Sequence, residues 1–145
     1  MSLQNHLTTF NDQRKKHWEL CHDIIEVFYA VYNELGFGFL EAVYEEALAL
    51  ALTEAGYIVA RQVSVPVWFR GRRIGEYRAD LIINDSVLLE LKAARTLDSS
   101  HEAQSLNYLR ATEIEVALLL NFGPKPHFRR YVFENTRKKI RVHSR

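Results

Sequence analysis

Residues 78–92, Arg-Ala-Asp-Leu-Ile-Ile-Asn-Asp-Ser-Val-Leu-Leu-Glu-Leu-Lys, constrain the fold more than any other stretch of the chain. Two runs rich in Val, Ile and Leu flank Asn84-Asp85-Ser86, a turn composition, so the segment is predicted to be a β-hairpin. Three members do not suit an apolar strand: Asp80, Glu90 and Lys92. Side chains alternate along a strand, so Glu90 and Lys92 point the same way. A turn centred on Asp85 pairs position 83 with 87, 81 with 89 and 80 with 90. Asp80 then faces Glu90, with Cβ atoms ~5 Å apart. Two carboxylates and an ammonium on one face of a strand pair are a costly arrangement, and the rest of the chain has to account for it.

The surrounding pattern is that of a layered α/β (α+β) domain. From about Asn11 to Glu34 apolar positions from Trp18 to Tyr32 recur at three and four, one face of an amphipathic helix. Gly36 and Gly38 end it. A second helix is predicted from about Phe39 to Ala55, with Leu40, Val43, Tyr44, Leu48 and Leu52 inward and Gly56 closing it. The period then shifts to alternation over Ile58–Phe69, where Pro66 marks an edge strand or a bulge. Arg70-Gly71-Arg72-Arg73 turns the chain toward the hairpin. Asp98 or Ser99 caps a helix running to about Ala111, with Ala103, Leu106 and Leu109 inward. Residues 115–121 and 127–134 supply two more strands. The predicted order is ααβββαββ: a mixed sheet of about five strands flanked by helices. Its strand–helix–strand unit, residues 87–120, should be a right-handed crossover between parallel strands.

The 145 residues fit one domain, 1–145, with 1–10 and 136–145 expected as flexible tails. The lone cysteine, Cys21, excludes an internal disulfide framework and a multi-cysteine zinc site. No leader or long apolar run stands out, so the expectation is an unexported cytoplasmic protein without a membrane partner. A net charge of +1 conceals an asymmetry: residues 1–60 carry three basic groups against nine acidic, residues 125–145 eight basic against Glu134 alone. Such a tail can meet phosphates, or pair with the acidic helices of its own fold.

Facing carboxylates between apolar flanks repel, and Lys92 can neutralise only one of them. A divalent cation resolves the conflict: Asp80 and Glu90 supply hard oxygen ligands, as Mg²⁺ or Mn²⁺ requires. Lys92 could then act on a water and stabilise an anionic transition state. The competing reading is a half-buried Glu90–Lys92 pair with Asp80 in solvent. On the following helix, His101, Gln104 and Tyr108 share one face and could contact a nucleic-acid backbone, hold the lysine, or simply meet solvent. Glu41 and Glu45, one turn apart near a helix start, have an ordinary explanation in the helix dipole.

Taken together, these clusters resemble the GxxExxY proteins, a family assigned to the PD-(D/E)xK nuclease superfamily. The pattern is Gly38, Glu41 and Tyr44, and the similarity runs from about Ile24 to Val132. It includes Arg61-Gln62, Arg78-x-Asp80, Glu90-Leu91-Lys92, Gln104 with Tyr108, and Leu-Leu-Leu-Asn-Phe-Gly at 118–123. The resemblance implies a restriction-endonuclease-like core in which Asp80 and Glu90 bind one or two divalent cations. It further implies that Lys92 works on the attacking water and a helical glutamate, Glu41, completes the metal shell. Glu45 stands one turn on as the other candidate for that shell. Gln104 and Tyr108 look like the Q-x-x-x-Y of the exonuclease branch, assisting the site or the DNA. Tyr32 and Phe37 depart from a histidine and a proline common in the family, and Ala79 replaces a proline before the first acid.

The function so implied is a Mg²⁺-dependent nuclease acting on DNA with low intrinsic sequence specificity, since no helix-turn-helix or zinc module is present. Basic groups at 70–73 and in the tail would grip the backbone. The alternative is a nucleic-acid-binding or accessory protein with the same fold and little cleavage of its own. A homodimer is compatible with either, because cutting both strands with one small site usually needs two copies.

Overall fold

A computed structural model describes residues 17–138. Helices α1 (Trp18–Leu35) and α2 (Glu41–Glu54) precede strands β1 (Val59–Phe69), β2 (Arg72–Ile83) and β3 (Val87–Lys92). Helix α3 (Ser99–Ala111), strands β4 (Val116–Phe122) and β5 (Pro126–Val132), and a 3-10 turn at Asn135–Arg137 complete the chain. This is the predicted α+β order. The start of the expected first helix, residues 11–16, lies outside the described residues, as do 1–10 and 139–145.

The strands stand side by side in chain order, β1-β2-β3-β4-β5. All neighbours are antiparallel except β3 and β4, which are parallel and joined through α3. One face of the sheet carries Leu81, Ile83, Leu89, Leu91, Leu118 and Leu120 against Phe28 of α1 and Leu48 of α2. The other carries Val65, Tyr77, Ile82, Leu88 and Ala117 against Leu109 of α3. Every residue of β4 is buried, as a strand covered on both faces requires. β1 is an edge strand, and Pro66 lies beside a register shift between Val67 and Trp68. No described helix is long and apolar enough to cross a membrane.

The hairpin has the predicted register: Ile83 pairs with Val87, Ile82 with Leu88, and Leu81 with Leu89. Asn84 and Asp85 both adopt left-handed φ, 52° and 54°, which their short polar side chains tolerate. The Asn84 amide donates to the Ile58 carbonyl at 2.9 Å, and its side-chain oxygen accepts from the Ile58 amide at 2.8 Å. The hairpin turn is thereby fastened to the chain entering β1.

Four inward assignments are corrected. Leu40 is 80% exposed and Val43 41%, because α2 begins only at Glu41 and packs through the narrow stripe Tyr44, Leu48, Leu52. Trp18 is half exposed at the start of α1, where the Arg130 guanidinium lies 5.3 Å from its ring. On α3 the buried residues are Ser105, Leu109 and Ala111, while Ala103 is exposed. Two of those three are small, so the apolar period was too weak to orient the helix.

Candidate active site

The β2–β3 ladder stops at Leu81/Leu89, one step before Asp80 would face Glu90. At that step a side chain replaces the backbone: the Leu91 amide donates to Asp80 Oδ2 at 2.8 Å. The Asp80 backbone favours the ionised form of Glu90 across the same step. The Asp80 carboxylate is thus held on the backbone of the other strand, beside Glu90. β1 is irregular at the same level. Its ladder with β2 skips Gln62/Asp80, and Gln62 has φ 50°. Ala79 and Leu81, two residues apart, fall in cores on opposite sides of the sheet. Asp80 therefore stands where β2 changes its facing.

Glu90 and Lys92 alternate with Leu89 and Leu91 and share the α3 side of β3 with Leu88. Both are half-buried. Burial raises the Glu90 pKa from the ordinary 4.5 to about 7; Lys92 and the Asp80 amide oppose the shift, and Glu41 and Glu45 add to it. Asp80 is also raised, chiefly by burial, against the Leu91 hydrogen bond and Lys92. Glu90 Oε1 is buried without a hydrogen-bond partner. A buried carboxylate oxygen facing other acids is either protonated or waiting for a cation. The donor set of hard oxygens suits a divalent ion.

The helical glutamates differ. Both Glu45 oxygens are engaged, one by Arg61 at 3.0 Å and the other by Gln62 at 2.6 Å. Arg61 also reaches Glu46 at 2.6 Å. Glu41, on the first turn of α2, is exposed. The carboxylates of Asp80, Glu90 and Glu41 are not drawn as a trio within 4.8 Å. Among the described residues only His22, Asp23 and Glu26, all exposed neighbours along α1, meet that distance. Asp23 there accepts from the Tyr57 hydroxyl at 2.6 Å.

The three polar residues of the α3 stripe have different surroundings. His101 belongs to a capping box: Asp98 accepts from the Ser100 and His101 amides, and its own amide donates to His101 Nδ1. Gln104 is exposed. Tyr108 stacks on Tyr77, with ring centroids 3.6 Å apart.

Residue-by-residue reading missed a supporting layer. Asn121, buried in β4 beside Lys92, accepts from the Ala94 amide and donates to the Ala94 carbonyl, each at 2.9 Å. This clamp fixes the segment that follows Lys92. A Cβ at Gly123 would run into the Ala94 carbonyl oxygen, so only glycine allows the approach. The Tyr32 hydroxyl lies 2.8 Å from the Gly123 and Pro124 carbonyl oxygens, which gives the departure at 32 a structural role. Tyr44 stacks on Phe122 at 4.3 Å, while its hydroxyl donates to the Gly36 carbonyl and accepts from the Phe39 amide. It thereby holds the loop that leads to Glu41. The signal for Asn121 was one amide in an otherwise apolar strand.

A profile of the PD-(D/E)XK nuclease superfamily matches residues 18–131, and the chain belongs to that superfamily. That superfamily is one of nucleases, phosphodiester hydrolases that typically use divalent metals. Among solved structures it is similar to the crystal structure of SSO0001, with 21% identity and a TM-score of 0.45 over 64% of this chain and 52% of that one. It is also similar to an alkaline exonuclease (LHK-Exo) from Laribacter hongkongensis, with 14% identity and a TM-score of 0.39 over 63% of this chain and 56% of that one. The chain spans about half the length of each. No curated protein matches it.

Proposed function

We propose that this chain is a Mg²⁺- or Mn²⁺-dependent nuclease of the GxxExxY type that hydrolyses phosphodiester bonds in DNA. The observation that carries the reading is Asp80, fastened to the Leu91 amide, next to Glu90, whose buried oxygen has no partner and whose neighbour on the same strand face is Lys92. Asp80 and Glu90 would hold the cation, and Glu41, whose exposed side chain can turn toward it, would complete the shell. The cation supplies Lewis-acid polarisation of the scissile phosphate. Lys92 Nζ orients the attacking water and balances the charge gathering on the phosphate oxygens. Attack at phosphorus breaks one P–O ester bond and leaves a phosphate end and a hydroxyl end. Glu45, committed to Arg61 and Gln62, positions α2. Tyr108 acts through Tyr77, and exposed Gln104 is offered to the DNA backbone. Arg72 and Arg73, exposed at the end of the β1–β2 arm, add sequence-independent grip.

The test is incubation with supercoiled, linear, branched and single-stranded DNA, and with RNA, in Mg²⁺ or Mn²⁺, beside Asp80→Ala and Lys92→Ala. Cleavage abolished in both variants supports the assignment; cleavage equal to wild type removes it. Tight binding without cleavage of any substrate would favour an accessory role. Cleavage of RNA in preference to DNA would change the substrate and keep the site.

A further inference from the structure

The loop that carries the chain into α2 is apolar where it meets solvent. Phe37 is 62% exposed, Phe39 46% and Leu40 80%. Exposed apolar residues scattered singly need no explanation, but these are consecutive neighbours of Glu41. Phe37 and Phe39 line an open pocket of about 210 Å³ together with Ala93, Ala94, Arg95 and Phe122. Ala93 follows Lys92 directly and Leu40 precedes Glu41, with ~3.8 Å between successive Cα atoms. The pocket therefore lies next along the chain to both Lys92 and the turn that carries Glu41. Its walls are pre-set: the Asn121 clamp holds Ala94, and the Tyr44 hydroxyl holds Gly36 and Phe39. The volume is below the ~300–1,000 Å³ of sites that enclose a drug-sized molecule, so it suits a single ring system. Arg95 is exposed at its rim and offers a cation to a phosphate attached to that ring.

We propose that this pocket is a base-stacking subsite that takes one unpaired nucleobase of the strand being cut, stacked on Phe37 or Phe39 with its phosphate toward Arg95. The inference rests on the nuclease reading and narrows it. A base held here has left its duplex, so the substrate is single-stranded DNA, or a duplex with a frayed end or flap. Stacking on an aromatic side chain tolerates any base, in keeping with the low sequence specificity expected of this nuclease.

The experiment compares a labelled single-stranded oligonucleotide with the blunt duplex of the same sequence. Binding is measured by fluorescence anisotropy on an Asp80→Asn background, and cutting on the wild-type background. The expected result is a single-strand preference that collapses in a Phe37→Ala/Phe39→Ala double variant, with single-strand binding weakened about tenfold or more. Phe37→Tyr/Phe39→Tyr should restore it, and Leu50→Ser, on an exposed leucine elsewhere on α2, should change neither readout. Circular dichroism of each variant separates loss of binding from loss of fold. Asp80-dependent cutting with no change in the double variant overturns the subsite and leaves the nuclease reading standing. Loss of single-strand binding in a protein that cuts nothing does the reverse. A wild-type dimer that dissociates in the double variant, read by sedimentation, would assign the patch to a second copy and overturn the proposal.

Discussion

The two halves of the β2–β3 hairpin share a register and differ in everything else. Near the turn, residues 81–83 and 87–89 pair backbone to backbone, and all six are buried hydrocarbon. Beyond Leu81 and Leu89 the strands are tied by the Asp80 carboxylate, and Asp80, Glu90 and Lys92 stand half-buried. The first half is built for stability, because a satisfied ladder leaves its side chains only packing to do. The second half puts acids where acids are costly and holds Asp80 by the opposite strand. In the nuclease proposed above, that cost marks the site: the ionised form would be disfavoured until a cation arrives. One local change, a side chain in place of a backbone acceptor, turns a structural hairpin into a chemical one.

The comparison is broken most decisively by exchanging the consequences of substitution. In the open half, Asp80→Asn or Lys92→Ala should lower cleavage by ~10²–10⁴ while leaving the melting temperature unchanged or higher. In the turn half, Leu89→Ala should cost about 2–5 kcal/mol of stability by denaturant unfolding. A large loss of stability in Asp80→Asn would erase the distinction.

The pH dependence sharpens it. Below pH 4.5 Glu90 is protonated in folded and unfolded chains alike. Between 4.5 and about 7 the folded metal-free protein keeps a proton that the unfolded chain has released. Stability therefore falls as pH rises through that window, and the loss is complete above about 7. The contribution is on the order of 1–3 kcal/mol, and Glu90→Gln should remove that slope in pH-dependent urea unfolding. Mn²⁺ should reverse it. Metal needs the ionised form, so thermal stabilisation by Mn²⁺ should grow as pH rises toward 7 and vanish in Asp80→Asn.

Smaller effects test the supporting layer. Asn121→Ala leaves the Ala94 amide and carbonyl without their clamp and should cost ~1–3 kcal/mol, with kcat falling more than KM changes. Smallest of all in stability are the two helical glutamates. Glu41→Gln should depress cleavage with no shift in melting, whereas Glu45→Gln should cost about 0–1 kcal/mol through its Arg61 pair. The opposite outcome would exchange their roles.

Much of this was legible in the chain. Alternation and turn composition gave the hairpin its register to the residue, because a one-residue slip would move every apolar side chain to the wrong face. Pro66 marked the edge strand. The acid-acid-lysine set, Asp80, Glu90 and Lys92, stood out because charge in an apolar strand needs a reason. Periodicity misled where it was weak. Leu40 and Val43 looked inward from spacing alone, but where α2 begins and which stripe packs depend on Tyr44 stacking on Phe122, far along the chain. Gln104 and Tyr108 looked like partners, yet Tyr108 is taken by Tyr77 and Gln104 is left in solvent.

The sequence by itself determined the element order, the hairpin and the identity of its charges, since these follow from local period and from chemistry that apolar strands exclude. Only the tertiary structure decided how the charges are held. Asp80 on the Leu91 amide, Glu45 committed to Arg61 and Gln62 while Glu41 is exposed, and Asn121 clamping Ala94 all join residues distant along the chain. Such contacts arise from the packing of whole elements, and no local pattern encodes which partner a polar side chain will meet.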